Sequence, residues 1–591
     1  MKRNQIFAAL ALTLTVAGCD ESSFLDTRPQ GTLNETNLNS AKGVELLVSA
    51  AYQALAGPAG QEGSVWFTPM TNWTYGEVRS DNAYKGGGGV GDATDLHKLE
   101  TFDVDATLGN LDSKWFQLYS CVQRCNSALK VLNTASPADV PSRDIRIAEM
   151  KVLRAHFYFE LSRLFNRVPY FDENVDINTY ADIPNTEYTR HEILGMIAAQ
   201  LAEAAETLPE TQAERGRVNK YVAYAYEAKV KLYQAYEEDE KTHSVTSVDK
   251  NLMNEVVGLC DKLEGRYSLL DNFQDLDLLA YENGAESVFA VQYSMNDGTS
   301  DAGRVNWSNL LNAPQGPYSG DGFFLPSQNL INAYKTGADG LPLFDTFNDE
   351  DYDVIATDAS GNIVNTQVDS NVDPRLDFIV GRPNITWKSY PNSPCQASWV
   401  RDQGTYGQHC TKRFFVSPES GDMFKGWPWG ASAMNWQVIR YAHVLLWKAE
   451  ALIEIGDAAS LEQARQIVNR IRLRAKNSPY VKDFNDPAKD AAHYLVNEYP
   501  AAGWAQEYAR QALRFETRLE TAMEGDRFFD LVRWGIATPT MTRFLNVERS
   551  KRVYYSNATY TAGRDEYLPI PLPQYNFSEG LYVQNPGYGA F

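Results

Sequence analysis

The stretch NWQVIRYAHVLLWKAEALIEIGDAASLEQARQIVNRIRLRA, residues 435–475, decides the reading of the fold. Apolar residues recur in it at three- and four-residue steps, the pattern of a helix that buries one face. Gly456-Asp457 interrupts that pattern, so Trp436 to Ile455 and Leu461 to Ala475 read as two helices joined by a tight turn. Ala449, Ala451, Ala464 and Ala475 fall where two such helices would cross closely. Working outward, the same periodicity begins at Ala41 (Val44, Leu46, Leu47, Ala50, Ala51, Leu55). It resumes from Trp115 to Leu129 and from Met150 to Leu164, then at 191–208 and 218–237. It returns from Ala505 to Met523, where Gly525 terminates it, and from Phe528 to Trp534.

Paired helices of roughly 34 residues per unit suggest a mainly α, tetratricopeptide-like superhelix. No strict period repeats, and an irregular helical bundle satisfies the periodicity equally. Two segments break it. Residues 57–91 are rich in Gly, Trp, Tyr and Asn. Residues 265–430 form a loop-rich, weakly β insert with many Gly, Pro, Asn and Asp. Long irregular segments in a compact protein are usually functional. The chain therefore divides into an N-terminal helical scaffold (41–264) carrying a ligand loop at 57–91, a recognition insert (265–430), and a C-terminal helical scaffold with an extended tail (431–591).

Residues 1–18 read as a signal peptide: Lys2 and Arg3 precede an apolar run from Ile6 to Val16 that is too short to anchor in a bilayer. Val16-Ala17-Gly18-Cys19 resembles a bacterial lipobox, which makes Cys19 the lipid-modified start of a leader at 19–40 and ties the chain to a membrane surface. The 591 residues carry 54 Lys+Arg against 76 Asp+Glu, a net charge of −22. That balance argues against nucleic acid as a partner, because phosphate backbones reward basic patches. Five cysteines remain after Cys19. Cys121 and Cys125 lie one helical turn apart and read as small buried residues, whereas Cys395 and Cys410 bracket a loop and could pair in an oxidising compartment. No CxxC pattern supports a metal.

Catalytic motifs are sparse. Gly86-x-Gly88-x-x-Gly91 matches a dinucleotide-binding pattern, but no hydrophobic strand precedes it and no βαβ unit follows, so it reads as a loop. There is no P-loop, GxSxG elbow or HExxH. The acids Asp345, Asp349, Glu350, Asp351 and Asp353 have oxygen ligands for a structural calcium, though a solvated loop is the better reading. The informative pattern is aromatic. Trp66, Trp73, Tyr75 and Tyr84 surround Arg79, Asp81 and Asn82; the insert adds Tyr293, Trp307, Tyr318, Trp387, Tyr390, Trp399, Tyr406, Trp427 and Trp429. Aromatic faces take the C–H faces of sugar rings, and Asp, Asn and Arg side chains suit the hydroxyls at the rim. The first-choice ligand contacts are Trp73, Asp81, Asn82 and Trp307, with Arg79 and Tyr318 as seconds.

Several segments together resemble the SusD/RagB-like outer-membrane nutrient-binding lipoproteins. They are Cys19 followed by Phe24-Leu25-Asp26 and Pro29, Arg154-Ala155 to Tyr158 leading to Val168-Pro169, and Gly216-Arg217-Val-Asn-Lys220. To these are added Asn435-Trp436…Arg440-Tyr441-Ala442 with Ala449-Glu450-Ala451-Leu452, Asn469-Arg470…Arg474-Ala475, Arg514-Phe-Glu516…Glu524-Gly525-Asp526-Arg527…Arg533-Trp534-Gly535, and Pro569-Ile570-Pro571…Asn585-Pro586-Gly587-Tyr588. The resemblance implies a surface protein that binds an oligosaccharide or polysaccharide and works with a SusC-like TonB-dependent transporter, with no cofactor and no catalysis. A peptide-binding member, a surface glycoside hydrolase and a pure protein scaffold are the rival readings. The signature residues Arg154, Arg440, Glu450, Arg472, Glu516, Glu524, Arg527, Asp530 and Arg533 lie on or beside apolar helical faces, where arginine and carboxylate satisfy one another. They read as scaffold.

Overall fold

The computed structural model describes residues 38–57, 70, 72–357, 363–366, 370–589 and 591. The signal segment, Cys19 and Trp66 lie outside the described residues. The long helices are α1 (Ala41–Ala56), α2 (Gly109–Thr134), α3 (Arg143–Phe165), α4 (Arg190–Thr207), α5 (Lys220–Gln234), α6 (Lys250–Asp261), α7 (Tyr441–Ile455), α8 (Ala458–Asn477), α9 (Gln506–Glu520) and α10 (Ala537–Lys551). Their ends follow local chemistry. Ser40 Oγ accepts from Gly43 N at the start of α1, and Thr189 with Glu192 forms a reciprocal capping box on α4. Asp457 caps α8 after Gly456 closes α7 in the left-handed region at φ 83°.

Consecutive helices pack on one another from α1 through α6, and α7, α8 and α9 continue the series. The decisive contact is α6 with α7, which pack together although residues 262–440 lie between them. The helix stack is therefore continuous and the insert leaves from a junction within it. This arrangement is the tetratricopeptide-like superhelix rather than the irregular bundle. Ala449, Ala451, Ala464 and Ala475 are buried at the crossings, where a larger side chain would push the backbones apart.

One boundary differs from the sequence reading. Trp436–Arg440 is a strand, and α7 starts only at Tyr441. The strand runs antiparallel to Ser287–Val291 at the edge of the insert, with Trp436 opposite Val291 and Arg440 opposite Ser287. Val438 and Ile439 are β-branched and favour the pleated form, while their apolar character hides the change of period from a helical reading. Helices α6 and α10 were not expected. The insert is weakly β: it holds short two-stranded ladders, of which Ala83–Gly86 with Phe323–Pro326 matters most, because it joins the first irregular segment to the insert.

A buried ion-pair network fastens insert to stack. Arg440 donates to Glu286 at 3.0 Å, to Glu520 at 2.7 Å and to Glu524 at 3.1 Å. Arg375 meets Asp373 at 2.7 Å and Glu516 at 2.6 Å, and Arg472 meets the other Glu516 oxygen at 2.8 Å. Arg413 links Asp277 of the insert to Glu524 at 2.8 Å, and Arg474 reaches Glu286 and Glu520. Burial pushes the Glu524 carboxyl up, but Arg440, Arg413 and His443 hold it well below the usual carboxylate range. In the C-terminal helices Arg533 pairs with Glu450 and, at 2.9 Å, with Asp530. These are the scaffold pairs the signature residues indicated.

Candidate ligand-binding surface

The first irregular segment turns inward. Trp73–Val78 is a π-helical turn whose Gly76 lies so close to Gly525 that a Cβ there would sit 1.8 Å from the Gly525 carbonyl oxygen. Trp73 is 1% exposed, its ring 5.4 Å from that of Phe324. Arg79 donates to the Asp565 carbonyl at 2.7 Å and lies over the Phe528 ring. Asp81 accepts two bonds from Arg527 and lies 3.3 Å from Arg518. Burial pushes its carboxyl up, but the two arginines outweigh it and hold it at about 2. Asn82 donates to Glu77 and accepts from Arg518, both at 2.8 Å.

These four residues are interior, which corrects their reading as ligand contacts. They form the joint between the first irregular segment and the C-terminal helices. Aromatics interleaved with Arg, Asp and Asn serve a buried ion-paired joint as well as a sugar rim, and only exposure separates the two. Tyr318 is corrected in the same way: its hydroxyl donates to the Val416 carbonyl at 2.7 Å and accepts from Trp387 Nε1 at 2.9 Å, beneath the surface.

The glycine loop is also accounted for. The Lys85 ammonium donates to the carbonyls of Gly86, Gly89 and Asp92 at 3.0, 2.9 and 2.5 Å. A phosphate cradle presents N–H groups to its ligand, whereas this loop turns carbonyls onto a cation of its own. Burial lowers the lysine to about 8. In the acidic stretch, Asp353 faces Arg382 at 3.2 Å and His409 at 2.9 Å, and Asp351 takes Lys551 at 2.6 Å.

Trp307 is 3% exposed but occupies a different setting, a small separate apolar cluster with Val305, Leu310 and Ala431. Met295 and Phe424 pack against that cluster from two neighbouring loops. Phe424 belongs to a hairpin at 422–433. Its arms are joined by Ala433 N to Asp422 O at 3.1 Å and Phe424 N to Ala431 O at 2.8 Å, and Asn306 N ties it to the insert through Ser432 O at 2.9 Å. The tip, Lys425-Gly-Trp427-Pro-Trp429-Gly430, carries the two tryptophans that are exposed among the described residues: Trp427 at 49% and Trp429 at 41%. Trp427 stands edge-on to Trp307, with centroids 5.1 Å apart and planes at 77°.

Gly430 seats this hairpin. It has φ 70°, and a Cβ on it would lie 2.4 Å from Ala313 Cβ. The loop behind Met295 closes on itself, with Ser294 N donating to Arg304 O and Asn296 N to Asp301 Oδ1. Its Asp297, bonded by Thr299 and Ser294, is exposed. Sequence reasoning included Trp427 and Trp429 in the aromatic group but did not choose them. The signal was local: two tryptophans inside a Gly-Pro-Gly turn have no helical or strand phase that could bury both. At the base of the hairpin, a cavity of about 790 Å³ is lined by Phe273, Leu279, Phe378, Lys388, Asp422 and Tyr480, among others.

Comparison with known proteins assigns the chain. Residues 285–588 match the family model described as the SusD family, and residues 23–232 match a SusD-like model described as starch-binding, associating with the outer membrane. The chain belongs to the SusD family. A SusD-like protein P2 of Formosa agariphila is 24% identical over 605 residues, covering all of both chains. A laminarin-binding SusD-like protein of solved structure superposes with a TM-score of 0.62 at 21% identity, over 93% of this chain and 100% of the other. Surface glycan-binding protein A of Bacteroides thetaiotaomicron, solved with laminarihexaose, gives a TM-score of 0.61 at 18% identity, over 92% and 99%. In this SusD-family chain, the match over residues 285–588 begins just before the insert strand Ser287–Val291 and so takes in the hairpin that bears Trp427 and Trp429.

Proposed function

We propose that the protein captures glycan chains on the Trp427–Trp429 hairpin at the cell surface and passes them to a SusC-like TonB-dependent transporter. The exposed tryptophan pair, backed by the buried Trp307, carries this reading. Large apolar rings left in water by a folded chain mark a binding surface. An edge-to-face aromatic pair such as Trp427–Trp307 contributes about 0.5–1.5 kcal/mol beyond the area it buries, which holds the platform in place. The Trp307 edge contact and the Gly430 seat hold the platform before ligand arrives, so little side-chain entropy is lost on binding.

The family assignment, the glycans named for two fold relatives, and the lipobox-like Val16–Cys19 support the same reading, in which a lipid anchor holds the chain at the outer membrane. The role needs reversible binding and no bond cleavage. The carboxylates that pair with arginine in the core are held as structural anions. Affinity electrophoresis and calorimetry with laminarin and starch test the proposal. Binding without release of reducing ends supports it, and a W427A/W429A double variant is expected to bind at least tenfold more weakly. Unchanged affinity in that variant would overturn the assignment of the site.

A further inference from the structure

Two thiols meet beneath the aromatic layer of the insert. Cys395 and Cys410 are both free and fully buried. Cys410 lies opposite Gly381 in a short antiparallel ladder, next to the pair Val380 and Thr411. A Cβ on Gly381 would lie 3.3 Å from Cys395 Sγ and 2.4 Å from the Trp387 ring. Cβ positions of directly opposed antiparallel residues are about 4.5–5.5 Å apart. The absent side chain of Gly381 is therefore the space through which Cys395 reaches Cys410, and the neighbouring Cys395 pushes the Cys410 thiol up. Cys395 is fixed from its own side as well: its N–H donates to Ile385 O at 2.9 Å, and its carbonyl accepts from Asn384 N at 2.8 Å. By contrast, the Cys121 thiol donates to the Ala54 carbonyl at 3.6 Å, and Cys260 sits in α6.

We propose that Cys395 and Cys410 are joined by a structural disulfide when the chain folds in an oxidising compartment. The thiolate of one attacks a disulfide-bearing carrier, either a thiol–disulfide oxidoreductase or a small-molecule disulfide, and releases one carrier thiol. The second thiolate then displaces the other. The protein gives up two protons and two electrons, and the carrier leaves as two thiols. Contact with Cys395 and burial both raise the Cys410 thiol, so the closed native site is slow to react. The bond is made while the segment is still opening, and it is shielded from reductant afterwards.

The cross-link has a structural purpose. The loop it closes carries Trp399, whose ring meets Trp387 at 5.2 Å, and Arg401, which bonds Asp92 at 2.9 Å and Asp321 O at 3.0 Å. It also carries His409, which meets Asp353. One loop thus holds the glycine loop of the first segment against the insert that bears the tryptophan hairpin. Its oxidising surroundings follow from the surface address proposed above, while the bond itself depends on the geometry alone.

The test is peptide mapping after alkylation in denaturant without reductant, on the full chain refolded in mixed oxidised and reduced glutathione and on protein isolated from cells. The expected result in both is a Cys395–Cys410 cross-linked peptide, with Cys121, Cys125 and Cys260 alkylated. Dithiothreitol should cleave it in the denatured chain and spare it in the native one. Closing a loop of about fifteen residues shifts the unfolding equilibrium on the order of a hundredfold. Reduction should reverse that shift, and a C395S/C410S variant should show the reduced midpoint with no response to reductant. Alkylation of both residues after refolding, or a cross-link elsewhere, overturns the bond. A cross-link on refolding but none in cells overturns the oxidising address.

Discussion

Arg527 donates two hydrogen bonds to Asp81, at 2.8 and 3.0 Å, across 446 residues of chain. This pair closes the first irregular segment onto the C-terminal helices, and Arg518 adds a second cation to it. Removing the carboxylate alone leaves the buried Arg518 and the part-buried Arg527 guanidinium groups without this counter-charge. Asp81→Asn should therefore lose about 3–5 kcal/mol of stability, the range for breaking one side of a buried pair. Denaturant unfolding checks this, and glycan affinity measured below the transition should be unchanged.

The same pair predicts an acid limb. The folded Asp81 carboxyl lies at about 2, below its unfolded value of about 3.9. Its stabilisation is full above the unfolded value and is lost as pH falls from about 4 towards 2. In Asp81→Asn the stability–pH curve should be flatter across that window.

Glu282 predicts the opposite slope at higher pH. Burial raises its carboxyl to about 7, and the bond from Asn435 N does not compensate. The folded state binds this proton more tightly than the unfolded chain does, so stability falls as pH rises from about 4.3 to about 7. Glu282→Gln, a neutral amide of the same shape, should reduce that decline. Urea midpoints taken at pH 5, 6 and 7.5 measure the difference.

Two tryptophans should behave as opposites. Trp73→Ala removes a fully buried ring and is expected to lose about 3–5 kcal/mol of stability. Trp427→Ala removes a half-exposed ring and should weaken glycan binding with little change in the unfolding midpoint. If the two variants showed the same pattern, the assignment of platform and joint would fail.

Gly430→Ala tests the seat of the hairpin. A side chain there meets Ala313 at 2.4 Å and must also adopt φ 70°. The tip should shift and binding weaken several-fold while the helical stack keeps its far-UV circular dichroism.

Much of the scaffold could be read from the sequence because it rests on local periodicity. The Gly456-Asp457 break and the alanines of α7 and α8 place two crossing helices with no long-range information. The arginines and acids on those helices could also be paired by type. The strand at Trp436–Arg440 could not, since its partner Ser287–Val291 lies far away in sequence and its apolar residues merge with those of α7. The ligand surface was harder again. Trp73 and Trp427 carry the same side chain among similar polar neighbours, and what separates them is whether a distant element covers the ring. For Trp73 the cover is Phe323 and Phe324 of the insert; for Trp427 the outer face is left open to solvent.

The contact between α6 and α7 has a consequence for how such a protein can change. The two points where the insert leaves and rejoins the stack are neighbours, so everything between them is one closed excursion. The entropy of closing a loop grows only with the logarithm of its length, about 0.6 kcal/mol for each doubling. The outer loops of the recognition part can therefore be lengthened or shortened while the helices beneath keep their register, provided the insert keeps the buried partners, such as Glu286 and Arg413, that neutralise the stack. A lineage that meets a new polymer can rewrite the outer loops of this cassette and leave the frame that carries it untouched.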